Sequence, residues 1–167
     1  MILFFIAGTQ LPFPRMDKAI RSLLANNPNQ YEIIYQSGQK ENLPYKNLSQ
    51  YNLMPEDIFI NSIKSADLII AHAGVGTLLE CIELKKPVLM FPRQVKLKEH
   101  RNDHQLSTAR KIHEIFQIPY YLETKKLVAA IEKNQNTTQG TYHYYQMKKN
   151  RAKLKEKLFS IVNEFIT

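Results

Sequence analysis

The chain alternates between continuous apolar runs and stretches in which apolar residues recur every three or four positions. The first pattern predicts strands covered on both faces, and the second predicts amphipathic helices. The predicted strands are 2–7, 31–36, a short one near Leu48, 67–72, 87–91 and 119–122. The predicted helices are 15–25, 55–64, 76–85, 103–116 and 124–133. Within helix 55–64 we expect Ile58, Phe59 and Ile63 to face inward.

Strands that alternate with helices predict an α/β fold in which a parallel sheet carries helices on both faces. We therefore expect a Rossmann-like three-layer sandwich. Ligands of such sheets bind beyond the carboxyl ends of the strands, where the strand order reverses. Four of the five glycines follow predicted strands and are expected at this edge: Gly8, Gly38, Gly74 and Gly76.

Three segments are expected along the chain. Residues 1–133 form the Rossmann-like domain, and the polar residues 134–143 form a linker. Residues 144–167 carry an amphipathic helix whose first half is rich in lysine. This helix is expected to dock on a partner subunit. The alternatives are an interfacial membrane helix and a helix that packs on its own domain.

Composition narrows the class of protein. The 167 residues are 44% hydrophobic and 23% charged, as in ordinary soluble domains, and no apolar run is long enough to span a bilayer. The apolar start lacks the basic region of a signal peptide and is expected to be the first strand. The single cysteine, Cys81, predicts a packed thiol and a reducing cytosol. The net charge of +8 favours an anionic partner, yet no aromatic-interleaved basic motif favours nucleic acid.

Residues 71–80 carry the first candidate chemistry. A strand ends at His72, two glycines follow, and a helix begins. Glycines let the backbone approach a ligand, and a helix N-terminus favours an anion. Glu80 lies one turn into the helix, where a carboxylate can accept hydrogen bonds from a ribose diol. The segment therefore predicts a nucleotide or nucleotide-sugar site. The alternative is a capping box, in which Thr77 caps the helix and Glu80 reaches back to it.

A second strand-to-helix turn presents polar side chains at the same edge. They are suited to phosphates and sugar hydroxyls: Arg93, Asn102, His104 and Gln105. The basic loop 93–101 is either a solvated loop or a lid that neutralises a diphosphate. His100 and His104 have the spacing of metal ligands on a helix, but no third ligand is evident and the predicted helix begins after His100. We expect no metal.

Several segments together resemble the C-terminal, donor-binding domain of glycosyltransferase family 28, which is half of a GT-B fold. They are residues 71–80, 86–93 and 102–105. The opening Gly8-Thr9 with Pro12-Phe13 and Arg15, and the segments 92–94 and 99–105, are similar to PssE-type exopolysaccharide transferase subunits. The domain is also similar to the C-terminal half of MurG and to the catalytic subunit of the eukaryotic two-subunit UDP-N-acetylglucosamine transferase. The resemblance covers roughly residues 1–130.

The resemblance implies how the phosphates are held. It places Gly8 and Thr9 against the diphosphate, or in the cleft between the two GT-B halves. It places Gly74, Gly76 and Thr77 around the phosphates as a cradle.

The resemblance also implies which residues hold the sugars. Glu80 holds the ribose hydroxyls, and His72 is either a donor contact or a structural histidine. His104 and Gln105 match the pair that contacts the donor sugar. Because His104 stands where the family has an acidic residue or glutamine, the sugar is open among glucuronate, galactose and N-acetylglucosamine.

The implied reaction is inverting transfer of a sugar from a UDP-sugar to a lipid-linked glycan acceptor in exopolysaccharide or capsule synthesis, with no metal or other cofactor. A GT-B enzyme needs two halves, so the resemblance implies a membrane-anchored, acceptor-binding partner subunit that supplies the general base. The chain is then expected in the cytoplasm, peripheral at the inner face of the membrane through that partner. The alternatives are a nucleotide-binding regulatory subunit without a catalytic role and a basic nucleic-acid-binding protein.

Overall fold

A computed structural model of the protein describes residues 1–9, 11–39 and 42–134. Within these residues, one sheet contains β1 (Ile2–Ile6), β2 (Glu32–Gln36), β3 (Leu48–Tyr51), β4 (Leu68–Ala71) and β5 (Val88–Met90). The helices are α1 (Pro14–Asn26), α2 (Glu56–Ser65), α3 (Val75–Glu83), α4 (His104–Phe116) and α5 (Thr124–Asn134). A 3₁₀ turn lies at Val95–Leu97.

The sheet is parallel throughout, with the strand order β3-β2-β1-β4-β5. Side chains of the central strand alternate between its two faces, so Phe4 and Ile6 enter one core and Leu3 and Phe5 enter the other. Helices α2, α3 and α4 cover the first face, and α1 and α5 cover the second. This arrangement confirms the predicted three-layer α/β sandwich.

The helices form where the sequence pattern predicts them. Helix α1 begins at Pro14. Proline is favourable there because the N–H groups of the first turn have no partner within the helix, so the missing N–H costs no hydrogen bond. Its buried stripe includes Met16, Ile20 and Leu23. Cys81 of α3 packs in the core, and burial raises the pKa of its thiol to about 12. The prediction of a packed, inert thiol is confirmed.

Two local predictions are wrong. Residues 119–122 do not form a strand: a single parallel bridge joins Tyr120 to Met90. Strand β5 ends at Met90 and proline follows at 92. Residues 119–122 therefore have too few backbone partners in β5 to form a longer ladder of hydrogen bonds. Ile58 does not face inward either, because the buried side of α2 runs through Ser62 and Ile63, and Ile58 is 36% exposed.

The C-terminal predictions fall largely outside the described residues. Asn134, the first residue of the predicted linker, is the last residue of α5. The rest of the linker, 135–143, and the predicted docking helix, 144–167, lie outside the part of the chain that the structure describes. None of the described helices has the length and apolar character needed to cross a membrane.

Candidate functional site

A cleft lies at the carboxyl edge of the sheet, between the loops that follow β1 and β4. The chain turns from β1 towards β2 on one side and from β4 towards β5 on the other, so these two loops diverge. The cleft between them has a volume of ≈ 360 Å³. Its described lining is Ala7, Gly8, Thr9, Leu11, Gln36, Phe59, His72, Thr77, Arg93, His100 and Gln105.

His72 directly follows β4, and its ring lies between two glycines. A Cβ on Gly8 would come within 3.1 Å of His72 Nε2, and the φ of Gly8 is +83°, a conformation that other residues rarely adopt. A Cβ on Gly74 would overlap the same imidazole ring. Both glycines therefore make room for His72, a role that the glycine pattern alone did not reveal.

The imidazole of His72 is neutral near pH 7. Burial lowers its pKa to about 4, a hydrogen bond to the carbonyl of Ile6 opposes this, and the charges of Arg93 and His100 lower it further. Nδ1 lies 3.2 Å from the Ile6 oxygen, so a proton on Nδ1 makes that hydrogen bond and leaves Nε2 as an acceptor. In this state His72 shapes the cleft without adding positive charge to it.

Helix α3 begins earlier than the capping-box interpretation requires. Gly74 is the N-cap, and its carbonyl accepts a hydrogen bond from Leu78 N at 3.1 Å. Thr77 is therefore the third helical residue, and no described side chain caps the helix, so the capping box is wrong. The N–H groups of residues 75–77 have no acceptor within the helix, and this end of α3 favours an anion.

The first turn of α3 has an open surface. Gly76 lies in this turn, and no described atom lies within 4 Å of the position that a Cβ would take. Thr77 lines the cleft directly. Glu80 lies one turn further along the helix, is half-buried and is not part of the described lining. The turn therefore leaves space for a ligand beside the unpaired N–H groups.

Arg93 borders the cleft but is only 2% exposed, because its guanidinium binds the backbone of the loop after β1. Its Nη1 donates to the carbonyls of Pro12 (2.6 Å) and Glu99 (3.1 Å). Its Nη2 donates to those of Ala7 (2.7 Å) and Leu11 (2.5 Å). These bonds tie the loop after β5 to the loop after β1. One alternative for loop 93–101 was a lid that neutralises a diphosphate. Arg93 cannot be part of such a lid, because it is buried and its guanidinium holds the two loops together.

A second buried arginine completes this region, which we call the arginine cluster: Phe13, Arg15, Phe91, Arg93 and Glu99. Arg15 and Glu99 form a bidentate ion pair, with Nη2–Oε2 at 2.5 Å and Nε–Oε1 at 2.7 Å. The guanidinium of Arg15 lies 4.3 Å from the centre of the Phe91 ring, and that of Arg93 lies 4.5 Å from the centre of Phe13. The cluster joins sequence segments that lie about 80 residues apart, as the Arg15–Glu99 separation shows.

The start of α4 supplies the remaining polar groups. Gln105 lines the cleft, and its Oε1 accepts a hydrogen bond from Arg93 N at 3.1 Å, which leaves the amide NH₂ for a ligand. Asn102 does not line the cleft; its Oδ1 lies 3.1 Å from His100 Nδ1 and 3.4 Å from His104 N. His104 is the first residue of α4, is exposed and stands outside the described lining.

The structure thus brings together part of the predicted set. Six of the predicted residues line the cleft: Gly8, Thr9, His72, Thr77, Arg93 and Gln105. The others flank it without belonging to the described lining: Gly74, Gly76, Glu80, Asn102 and His104. The sequence analysis did not predict the other five residues of the lining: Ala7, Leu11, Gln36, Phe59 and His100. Gln36 ends β2 just before Ser37-Gly38, a position that could have marked it as an edge residue.

The histidine pair at 100 and 104 does not share a helix, because α4 begins at His104. Among residues 1–9, 11–39 and 42–134, no three His, Cys, Asp or Glu side chains are grouped closely enough to hold a metal ion.

The cleft at the strand switch point, beside a helix N-terminus without a described cap, lies where α/β domains bind ligands and where an anion is favoured. The model of the glycosyltransferase family 28 C-terminal domain matches residues 2–161, and the chain belongs to this family. The match extends beyond residue 130, where the resemblance was expected to end.

Two curated relatives support this membership. The UDP-N-acetylglucosamine transferase subunit ALG13 of Candida albicans is 31% identical over 80 residues, which are 48% of this chain and 26% of the relative. The UDP-N-acetylglucosamine--N-acetylmuramyl-(pentapeptide) pyrophosphoryl-undecaprenol N-acetylglucosamine transferase of Clostridium botulinum is 30% identical over 111 residues, which are 64% of this chain and 30% of the relative. The chain thus spans less than a third of either relative.

Solved structures share the fold. The crystal structure of the glycotransferase of kitacinnamycin superposes on 94% of this chain and 43% of its own, with a TM-score of 0.63 and 16% sequence identity. At this identity the likeness establishes the Rossmann-like architecture found in GT-B proteins.

Proposed function

We propose that this chain is the donor-binding, catalytic subunit of a two-component inverting glycosyltransferase that moves a sugar from a UDP-sugar to a lipid-linked glycan acceptor. The observation that carries this proposal is the cleft at the β1–β4 switch point, beside the uncapped first turn of α3, in a chain of glycosyltransferase family 28. We assign its biological setting to exopolysaccharide or capsule synthesis, on the resemblance of its opening segment to PssE-type subunits.

The diphosphate of the donor fits the end of α3. The N–H groups of Val75, Gly76 and Thr77 are unpaired within the helix, and the open side of Gly76 lets phosphate oxygens approach them. The hydroxyl of Thr77 and the backbone of Gly8 and Thr9 line the same space. A phosphate held there meets donors that need no rearrangement when UDP departs.

The nucleoside and the sugar extend from this point in two directions. We assign Glu80, one turn along α3, to the ribose hydroxyls, from which its carboxylate can accept hydrogen bonds. We assign the NH₂ group of Gln105, whose oxygen accepts a hydrogen bond from Arg93 N, to donate to the transferred sugar. N-acetylglucosamine is the first sugar to test, because the names of both curated relatives specify it.

The proposed sugar transfer requires a general base, and we propose that this base does not come from this chain. The acceptor hydroxyl loses its proton to that base and attacks the anomeric carbon, and the bond from that carbon to the diphosphate breaks to release UDP. The positive end of α3 stabilises the charge that develops on the diphosphate, so the proposed reaction uses no metal.

A partner subunit supplies the base and binds the acceptor. The name of the Candida albicans relative calls it a subunit, which supports a partner. We propose that the partner is membrane-anchored, that residues 144–167 dock on it, and that it holds this chain at the cytoplasmic face of the membrane. The name of the Clostridium botulinum relative includes an undecaprenol group, which supports a lipid-linked acceptor.

The thermal stability of the purified chain with UDP, GDP, ADP or no ligand, at fixed salt, tests the donor site. A ligand that binds only the native state stabilises it by about 2.7 kcal/mol at a hundredfold excess over Kd. We expect a shift selective for UDP that Glu80→Ala abolishes and that Glu83→Ala, one turn further along α3, retains. A shift equal for all three nucleotides, or none, would contradict a uridine site.

Transfer assays test the need for a partner. We expect the pure chain to bind UDP with almost no turnover, and activity to appear when the acceptor-binding subunit is added. Robust transfer by the pure chain would overturn the two-component proposal, whereas partner-dependent activity that survives Glu80→Ala would favour a regulatory role.

A further inference from the structure

Among the described residues that line the cleft, three side chains can carry positive charge: His72, Arg93 and His100. Arg93 donates from both terminal nitrogens to four backbone carbonyls, so these nitrogens are already engaged. Burial keeps His72 neutral near pH 7. His100 is therefore the lining residue with a cationic form that can still meet an anion.

The geometry of His100 favours such a contact. The ring is half-buried, and its Nδ1 lies 3.1 Å from the backbone oxygen of Asn102 and 3.1 Å from its side-chain Oδ1. The backbone N–H of Asn102 also lies 3.4 Å from Nδ1, so Asn102 engages this ring nitrogen in either tautomer. Nε2 is then the ring nitrogen that remains for a ligand, and it donates when it carries a proton.

We propose that His100 is a ligand-binding residue of the cleft: it donates from Nε2 to the diphosphate of the nucleotide-sugar, and Asn102 positions the ring. This inference rests on the proposed nucleotide-sugar function and names a phosphate-binding residue that the sequence analysis did not assign. It also changes the role of Asn102 from a donor contact to a positioning residue that acts through His100.

Several charged residues near His100 in the chain have other partners or lie outside the described lining. The Glu99 carboxylate pairs with Arg15, and Asp103 accepts a hydrogen bond from Val95 N at 3.1 Å. His72 is neutral in the range in which imidazoles titrate, and Arg93 keeps its charge there. The remaining neighbours, Lys98, Arg101 and His104, are exposed and stand outside the described lining.

The consequence is donor affinity that depends on the His100 side chain. UDP-sugars are suitable probes because both of their phosphates are diesters with one charge each at neutral pH, unlike the terminal phosphate of UDP.

The experiment measures the Kd of UDP-N-acetylglucosamine and UDP-glucose by calorimetry at one pH and fixed ionic strength. We expect His100→Ala to bind at least one of the two about tenfold more weakly than the wild type, the size of a lost charge-assisted hydrogen bond. Arg101→Ala removes a charge from the same loop outside the described lining and should keep the wild-type affinity.

A further variant separates the roles. Asn102→Ala should weaken binding in the wild type and have no further effect in His100→Ala, because Asn102 acts through His100. Wild-type affinity of His100→Ala for both UDP-sugars would overturn the role of His100 and leave the nucleotide-sugar site intact. Failure of both UDP-sugars to bind the wild type would overturn the proposed function and this inference together.

Discussion

The arginine cluster and the α3 side of the cleft are both electropositive, and they use that character in opposite ways. In the cluster, the guanidinium groups of Arg15 and Arg93 are buried against Glu99, backbone carbonyls and aromatic rings. On the α3 side, the first-turn N–H groups and the open face of Gly76 meet no described partner. The number of cations near a site therefore does not predict whether the site can bind an anion. Anion binding depends on which hydrogen-bond donors are still unpaired.

The largest expected effect comes from breaking the buried ion pair. Glu99→Ala leaves the Arg15 charge buried without its carboxylate, and Glu99 is only 3% exposed. Removing one partner of a buried pair costs about 3–5 kcal/mol, so we expect a loss of about 4 kcal/mol in the free energy of unfolding, measured by urea denaturation.

The exposed pair Lys126–Glu123 provides the control. Both of its side chains are more than half exposed, and Glu123→Ala should change stability by less than about 1 kcal/mol. Equal effects of the two substitutions would mean that the arginine cluster is not the buried framework described above.

A smaller effect concerns His72 and pH. Its pKa of about 4 lies below the ordinary value of 6.5, so the unfolded chain binds the proton more readily than the folded chain. Above pH 6.5 the ring is neutral in both states and does not affect the free energy of unfolding. As the pH drops from 6.5 towards 4, the free energy of unfolding falls by on the order of 2–3 kcal/mol. Urea denaturation across this range should show a shallower decline for His72→Gln. An identical decline in both proteins would show that the ring is not held neutral.

Gly74→Ala should cost about 2 kcal/mol, because the added Cβ overlaps the imidazole of His72. The double variant with His72→Ala removes the ring and should recover most of that loss, which a double-mutant cycle measures. Strict additivity of the two substitutions would mean that Gly74 is glycine for another reason.

Gly76→Ala gives the smallest effect on stability, and of the opposite sign. No described atom lies within 4 Å of the new Cβ, and alanine favours a helix over glycine, so we expect a gain of about 0.5 kcal/mol in thermal or urea denaturation. The same methyl group occupies space proposed for phosphate, so UDP should bind more weakly to this more stable protein. Unchanged UDP affinity would move the phosphate away from Gly76.

The fold was predictable because its signal is local and repeated. The apolar β1 run and the stripe of α1 dictate a buried strand and an amphipathic helix, and their alternation limits the topology to a parallel sheet. The prediction of a strand at 119–122 was wrong because the pairing of this segment depends on the length of β5, which the periodicity of the sequence does not show. The capping-box alternative misplaced the start of α3, because Gly74 can cap a helix without a side-chain acceptor.

The candidate site was only partly predictable, for a different reason. Loop residues after parallel strands can be assigned to an edge from sequence, which placed Gly8, Thr9 and Gln105 correctly. Which neighbours engage a side chain is set by contacts between segments far apart in the chain. No pattern in the local sequence predicts that backbone carbonyls surround Arg93 or that the His72 ring lies between Gly8 and Gly74.

The most direct test of the central claim is an amide NMR titration of the ¹⁵N-labelled chain with UDP at fixed salt. We predict that the largest shifts fall on Gly76, Thr77 and the Gly8-Thr9 loop, while the residues of α5 change little. Maximal shifts on α5, with α3 unaffected, would contradict a nucleotide site at the β1–β4 switch point.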